Sequence, residues 1–403
     1  MNRLRLMAMM FLEFFVWGAW YTSIAVFMTE HGMADLTHWP YTVNPIAAIV
    51  APFFLGLIAD RYFSTEKVLA ILHLLGGVFM LAVPQTTGSP TMFITLLLLY
   101  NLCYMPTIGL ANSISFHHIE KQEKQFPLIR VFGTIGWIVA GLAISFGLSQ
   151  FTADLPEKTP WPLYMTGLAS ILLGLYSFTL PHTPPPAKGE KVSIRSIVGL
   201  DALRQLGSRP FFVFLISSFL ISIPLAAYYN FTQIFLEASG FTKIAGTQTL
   251  GQMSEVVFML LMPIFFARLG VKWMLFTGMM AWVLRYALFA IGAPDTIFWM
   301  IIAGILLHGV CYDFFFVTGQ IYVDKKAKPE IRAQAQGLIV LVTYGLGLGI
   351  GAQIVGRLRN EIIELTSVNV LQQFQTFWLM PAAFAAGIML MFAFLFNEKR
   401  QST

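Results

Sequence analysis

Five ionisable residues lie inside long apolar stretches: Glu13, Arg130, Glu255, Arg285 and Asp313. A charge at the centre of a bilayer costs about 2.5–3.5 kcal/mol on insertion scales, so each needs a reason to be there. Asp313 sits in "HGVCYDFFFVTG", with His308 and Tyr312 four residues apart on one helical face and Asp313 about 100° around from Tyr312. The arrangement suits a carboxylate that takes up a proton beside an aromatic in a substrate cavity. It equally suits an ion pair tying two helices together. Glu255 follows Gln252 by one turn in "TLGQMSEVVF". A Gln amide beside a carboxylate offers both donors and acceptors to a polyhydroxylated or amide-bearing ligand. Arg130 has Thr134 at i+4 and Trp137 at i+7. With Pro127 three residues before it, the same Arg could simply snorkel to the membrane surface. Glu13 has Trp17 and Trp20 at the same two spacings, and is either a site residue or a protonated packing group. Arg285 reads as a structural counter-ion. No pair among the five stands one helical turn apart, so partners must come from other helices.

The elements that carry these residues follow from composition. Of 403 residues, 57 % are apolar and 11 % charged, against a charged share of about 25 % in soluble domains. Mean hydropathy is +0.71. This excludes a soluble enzyme, a nucleic-acid binder and a disulfide scaffold; the two cysteines, Cys103 and Cys311, lie in apolar stretches of opposite halves. Apolar windows fall near 6–28, 41–59, 68–84, 91–115, 128–150 and 162–181, then 211–236, 247–267, 273–292, 297–322, 334–356 and 375–396. A membrane helix takes about 20 residues, so these are twelve spans in two sets of six. Nineteen of the 25 Lys and Arg residues fall on the side that holds the N-terminus and four on the other, which places both termini in the cytoplasm. Arg3 and Arg5 precede a long apolar run without a cleavage site, so the first span is retained.

The expected organisation is a six-helix bundle over 1–181, a cytoplasmic linker over 182–209 and a second bundle over 210–403. The linker opens with "HTPPPAKGEK" and continues as an amphipathic stretch, "VSIRSIVGLDALRQL". Two turns echo each other six spans apart, "PFFLGLIADRYFSTEKVL" (52–69) and "PIFFARLGVKWML" (263–275), as expected of duplicated halves. "GLGLGIGAQ" (345–353) lacks the Lys-Ser/Thr of a phosphate loop and reads as close helix packing. His73 is expected to be a hydrogen-bonded helix histidine, and His117-His118 a solvated pair. Neither a cofactor nor a metal is expected.

The twelve-span plan and "GLIADR" (56–61) resemble the major facilitator superfamily. "EFFVWGAW" (13–20), "YMPTIGLANSISF" (104–116), "FPLIRVFGTIGW" (126–137) and "YDFFFVTGQIYVDKKAKPEIRAQAQG" (312–337) resemble the nucleoside:proton symporter family, and "LPH" (180–182) and "AWVLRYALFA" (281–290) match it as well. The resemblance implies an all-α membrane protein of two six-helix bundles about a central cavity. It implies proton-coupled nucleoside uptake by alternating access rather than an enzymatic reaction, in a bacterial inner membrane, by a monomer whose partners are nucleoside, proton and lipid. It carries over Arg130, Thr134, Trp137, Gln252, Glu255, Tyr312 and Asp313 as substrate contacts; of these, the carboxyls of Asp313 and Glu255 are the candidates to take up the proton. The family's polar pair on the seventh span falls on Ala226 and Tyr229, so Asn230 and Gln233 are the nearby candidates for those contacts. His308 stands where the family has Tyr, Trp137 where it has Phe, and Glu13 where it has Gln. A carrier of another polar solute such as a sugar or drug keeps the same fold, and a membrane-embedded enzyme using His308, Glu255 and Asp313 is the reading of a different class.

Overall fold

The computed structural model describes residues 2–55, 63–185, 199–328 and 331–397. Every element among them is helical, without a strand. Nine described helices are long and apolar enough to cross a membrane: Arg3–Glu30, Thr65–Thr86, Pro90–His117, Gln125–Gln150, Arg209–Ala238, Ile244–Gly292, Phe298–Lys326, Gln334–Ile362 and Val370–Leu395. Three further spans complete the expected twelve. Pro40–Phe54 has 15 residues and ends at the edge of the described region, and Trp161–Ser177 has 17. The third comes from Ile244–Gly292. Its 49 residues would extend about 74 Å if straight, more than twice a hydrocarbon core.

That helix turns at Gly270, which has φ 66° and ψ 178°. An L-residue adopts this conformation only under strain, and glycine does so freely because it has no Cβ. Open space surrounds the Cβ position there, so the backbone angle and not packing requires the glycine. This is the second of the two turns noted in the sequence. The first, with "GLIADR", lies outside the described residues, as does the amphipathic stretch up to residue 198. The rest of that stretch forms a short helix, Leu200–Leu206.

The chain divides into two compact units. Unit 1 comprises Met1–Ser193 with Phe241–Thr249, and unit 2 comprises Ile194–Gly240 with Leu250–Thr403. Within unit 1, the Asn2–Tyr21 helix lies directly against Gln122–Leu142. A Cβ on Gly136 would fall 2.1 Å from the carbonyl oxygen of Phe11, so only glycine permits this approach. The core beneath is built from Leu6, Met9, Met10, Leu69, Leu110 and Ile129. Within unit 2, Gly347 and Gly351 bring their segment against Ser222 and Ile223 of Arg209–Ala238, the close packing expected of "GLGLGIGAQ". Among the described residues, Ala143–Gly147, Asp313–Val317 and Leu341–Gly347 have π-helical geometry. Cys103 is half-buried and Cys311 buried, and both are free thiols.

The 151–160 loop of unit 1 is pinned by Glu157. Its Oε1 accepts from the backbone N–H of Ala245 (3.0 Å) and from the Ser145 hydroxyl (3.2 Å). The N–H of Gly246 donates to Ser145 Oγ (2.8 Å), and Lys243 donates to the Ser145 carbonyl (2.8 Å). The carboxylate thereby meets the first turn of Ile244–Gly292, where unpaired N–H groups favour an acceptor. Burial raises the Glu157 carboxyl above the usual carboxylate range, with the Ala245 N–H, Ser145 hydroxyl and Lys243 acting in the other direction.

Candidate functional site

The candidates of unit 1 come from two helices that the Gly136 contact holds together. Arg130 is half-buried, and its guanidinium stands 4.0 Å over the ring of Phe14. A planar cation on a ring face is partly desolvated, and its N–H groups lie at the edge of the plane. Thr134, one turn on, is half-buried. Trp137 packs edge-on against Trp17 (5.4 Å between ring centres) and Tyr21 (5.9 Å), and abuts Gly18. Its indole N–H has no hydrogen-bond partner among the described residues. Glu13 is fully buried and takes another path. Its Oε2 lies 2.9 Å from His73 Nε2, and its Oε1 accepts from Thr107 (2.6 Å). His73 is the hydrogen-bonded helix histidine expected from the sequence.

The candidates of unit 2 cluster around a second close contact. Gly309 lies against Ser254, with a Cβ position 2.6 Å from the Ser254 carbonyl oxygen. Ser254 Oγ donates to the Leu306 carbonyl (2.6 Å) and accepts from the Gly309 N–H (2.9 Å). Gln252 and Glu255, which flank Ser254, are thus held against the stretch carrying His308, Tyr312 and Asp313. Gln252 is half-buried, and its carbonyl oxygen has no hydrogen-bond partner among the described residues. Glu255 is half-buried, and the Cβ position of Gly309 lies 2.7 Å from its backbone nitrogen.

Asp313 is fully buried at the first residue of a π-helical turn, and neither carboxylate oxygen has a hydrogen-bond partner among the described residues. The wider turn rotates the following side chains relative to an α-helix, a geometry common at functional positions. Tyr312 and His308 share a face, as their spacing requires, with ring centres 5.9 Å apart. His308 is buried and stacks on Tyr228 (5.2 Å, 18° between planes), with Tyr229 edge-on at 6.1 Å. Asn230 and Gln233 are buried on the same Arg209–Ala238 helix, and both polar atoms of the Asn230 amide lack a partner among the described residues. His308 and Tyr229 thus stand together, and Gln252 and Glu255 are fastened to the segment of Asp313.

Arg285 departs from expectation. No carboxylate pairs with it among the described residues. Its Nε donates to the Gly304 carbonyl (3.1 Å), and its guanidinium lies 4.1 Å over the Tyr228 ring. Its two terminal nitrogens have no hydrogen-bond partner among the described residues. A ring face takes the place of the counter-ion, because the electron-rich face of Tyr attracts a desolvated cation. His118 also departs: it is half-buried and bonded through Nε2 to Thr183 Oγ1 (2.9 Å), while His117 is exposed. Three residues escaped the sequence reading. Tyr228 is the shelf under both His308 and Arg285; Ser254 is the clasp between two segments; Tyr104 bridges His73 and Trp17. Tyr228 stands next to a candidate, yet one position along a helix points about 100° away, so adjacency was no guide.

Comparison with known proteins gives the family and the fold. The family model described as "Nucleoside H+ symporter" matches residues 1–401. The putative nucleoside transporter YegT of Escherichia coli is 43 % identical, covering 98 % of this chain and 93 % of its own length. The nucleoside permease NupG of the same organism is 32 % identical, covering 98 % and 96 %. The crystal structure of the nucleoside transporter NupG superposes with a TM-score of 0.85 at 31 % identity, covering 99 % of this chain and all of that one. The POT family transporter PepTSo superposes at 0.73 with 15 % identity, which speaks to the fold alone. The fold is the twelve-helix major facilitator fold, and the protein is a multi-pass inner-membrane transporter rather than an enzyme. The chain belongs to the nucleoside H+ symporter family.

Proposed function

We propose that the protein takes up nucleosides by proton symport, with Asp313 carrying the coupling proton. The observation that supports this role is the burial of Asp313 without a hydrogen-bond partner among the described residues. A bare carboxylate in apolar surroundings is costly, and a proton removes that cost. Proton uptake from outside therefore favours states in which Asp313 is shut away from water, and its release inside resets the carrier. Glu255, fastened to the same segment through Ser254, is the second carboxyl, and the two act as a pair.

Substrate recognition falls to side chains of complementary chemistry. Trp137 in unit 1 and Tyr312 in unit 2 offer ring faces to a nucleobase. Arg130, Thr134, Gln252, Asn230 and Gln233 offer donors and acceptors to base edges and ribose hydroxyls. Tyr229 and His308 supply an aromatic wall in place of the amides the family uses on the seventh span. The charge asymmetry supports cytoplasmic termini, with the linker of 182–209 on the same side. The protein works as a monomer, with no nucleic-acid partner.

The experiment is uptake of radiolabelled purine and pyrimidine nucleosides into proteoliposomes, with and without an imposed proton gradient and with sugars as competitors. Xanthosine belongs in the panel, because a xanthosine permease of Escherichia coli is 32 % identical over 98 % of this chain. Gradient-dependent accumulation that nucleosides alone compete for is the expected result. Competition by sugars instead would move the substrate class, and equilibration without accumulation would remove the proton coupling.

A further inference from the structure

A second buried acid remains outside the mechanism above. Glu13 and His73 are both buried, face each other at 2.9 Å, and come from different helices of unit 1. Hydrogen-bond geometry counts the protons they hold. Ser170 Oγ lies 2.8 Å from the His73 carbonyl, which can only accept, so the hydroxyl hydrogen of Ser170 is directed there. Ser170 Oγ also lies 3.0 Å from His73 Nδ1. With its hydrogen committed, Ser170 accepts at this contact, and Nδ1 carries a hydrogen. The other ring nitrogen, Nε2, meets Glu13 Oε2. A hydrogen bond there needs one proton: on Oε2 if the imidazole is neutral, on Nε2 if the two form an ion pair. The far carboxylate oxygen, Oε1, faces the Thr107 hydroxyl (2.6 Å), whose one hydrogen also has the Tyr104 carbonyl (2.5 Å) within reach. With that hydrogen on Oε1, the pair holds one shared proton and is uncharged overall. Losing it leaves a net negative charge in apolar surroundings and gaining another leaves a net positive one, so exchange requires water to reach the pair.

The pair also has a path to the substrate candidates. The Tyr104 hydroxyl donates to the Glu13 carbonyl (2.7 Å), and its ring lies edge-on to His73 (6.0 Å) and to Trp17 (5.9 Å). Trp17 in turn packs on Trp137. Other titratable groups packed around the pair are Tyr100, stacked on Tyr104, Cys103 beside Gly76, and Arg130 on the Gln122–Leu142 helix, stacked over Phe14, the residue after Glu13. Two rings thus separate the shared proton from the tryptophan assigned to base stacking.

We propose that Glu13 and His73 form a second proton-binding site, in unit 1, which loads and releases one proton in each transport cycle in addition to the proton on Asp313. The proton enters from the outer water, is held between Oε2 and Nε2 while a base occupies Trp137, and leaves to the inner water when Tyr104 and Trp17 shift. This rests on the symport reading above, and one experiment separates the two. In proteoliposomes, the proton gradient that just balances an opposing nucleoside gradient gives the number of protons moved per nucleoside. Wild type should give two, while Glu13→Gln and His73→Gln should each give one and still bind nucleoside. An equal number in wild type and Glu13→Gln overturns the second site and leaves the symport reading intact. Wild type that fails to accumulate any nucleoside overturns both. Should neither variant fold, Asp313→Asn leaves the pair untouched. In proteoliposomes its nucleoside flux should still carry about one proton per nucleoside, and flux that moves none also overturns the proposal.

Discussion

Asp313 and Arg130 show how much one side chain can decide. Asp313→Asn keeps size and hydrogen-bonding capacity but cannot gain or lose a proton. This variant should bind nucleoside and exchange it across the membrane but move one proton fewer per nucleoside and so concentrate it less steeply; a gradient as steep as that of wild type would exclude Asp313 as a coupling residue. Arg130 separates two readings that position alone left open. A snorkelling side chain needs a long stem and a positive head, which Lys supplies. A guanidinium lying flat on Phe14 while its edge addresses a substrate oxygen or a carboxylate needs the planar fork. Arg130→Lys should therefore insert and melt as wild type does but lose about tenfold or more in uptake, equivalent to about 1.4 kcal/mol in the step it serves. Uptake near the wild-type rate would return Arg130 to the membrane surface. Glu13 was legible as an expensive buried acid, but its partner His73 stands 60 residues away in the chain, and no periodicity connects residues on separate helices.

Helices were the most legible elements and their irregularities the least. The twelve windows follow from apolar runs alone, because lipid forces every backbone group into a helix and so removes the competition from strands. The π-helical turn at Asp313 leaves no trace in residue types, because its register is set by packing against neighbouring segments. Gly270 is the opposite case, a turn written in one residue. Gly270→Ala should lower stability by about 1–3 kcal/mol, the usual strain of a non-glycine residue in that backbone region. Gly387→Ala, in the middle of a helix with open space at its Cβ position, should be neutral or stabilising by up to about 1 kcal/mol. Thermal melting in detergent compares the two, and equal effects would mean that the turn tolerates another conformation. Glu157 gives the 151–160 loop a pH dependence. Burial raises its folded-state value above the unfolded one, so the folded state binds the proton more tightly. Its contribution is then favourable at low pH and is lost as pH climbs from the ordinary carboxylate range through the raised value. Glu157→Gln, which keeps an acceptor for the Ala245 N–H, should flatten the melting profile over that window; an unaltered profile would assign the dependence to another group.

At the scale of the whole molecule, composition named the solvent before any motif was read. With 11 % charged residues the surface must face lipid, and large exposed apolar side chains such as Leu260, Phe394 and Leu175 bear this out. The site was less legible. Residue types pointed to Gln252, Glu255, Tyr312 and Asp313, but the shelf of Tyr228 and the clasp of Ser254 depend on which helices meet, and composition is silent on that. Arg285 was recognised as a buried charge and given the wrong kind of partner, since a ring face carries no formal charge to find in a sequence. The aromatic packing described for unit 1 has an optical consequence. Trp17, Trp20 and Trp137 stand among Tyr21, Tyr100 and Tyr104, with Trp17 and Trp137 close enough to share excitation. The protein therefore carries an intrinsic reporter that needs no label. A nucleobase stacking on Trp137 should quench tryptophan emission in proportion to occupancy, and Trp137→Phe should remove that response while leaving a stacking surface. Titrating wild type and this variant with each nucleoside would rank its ligands by light alone; quenching that survives in Trp137→Phe would place the base against a different ring.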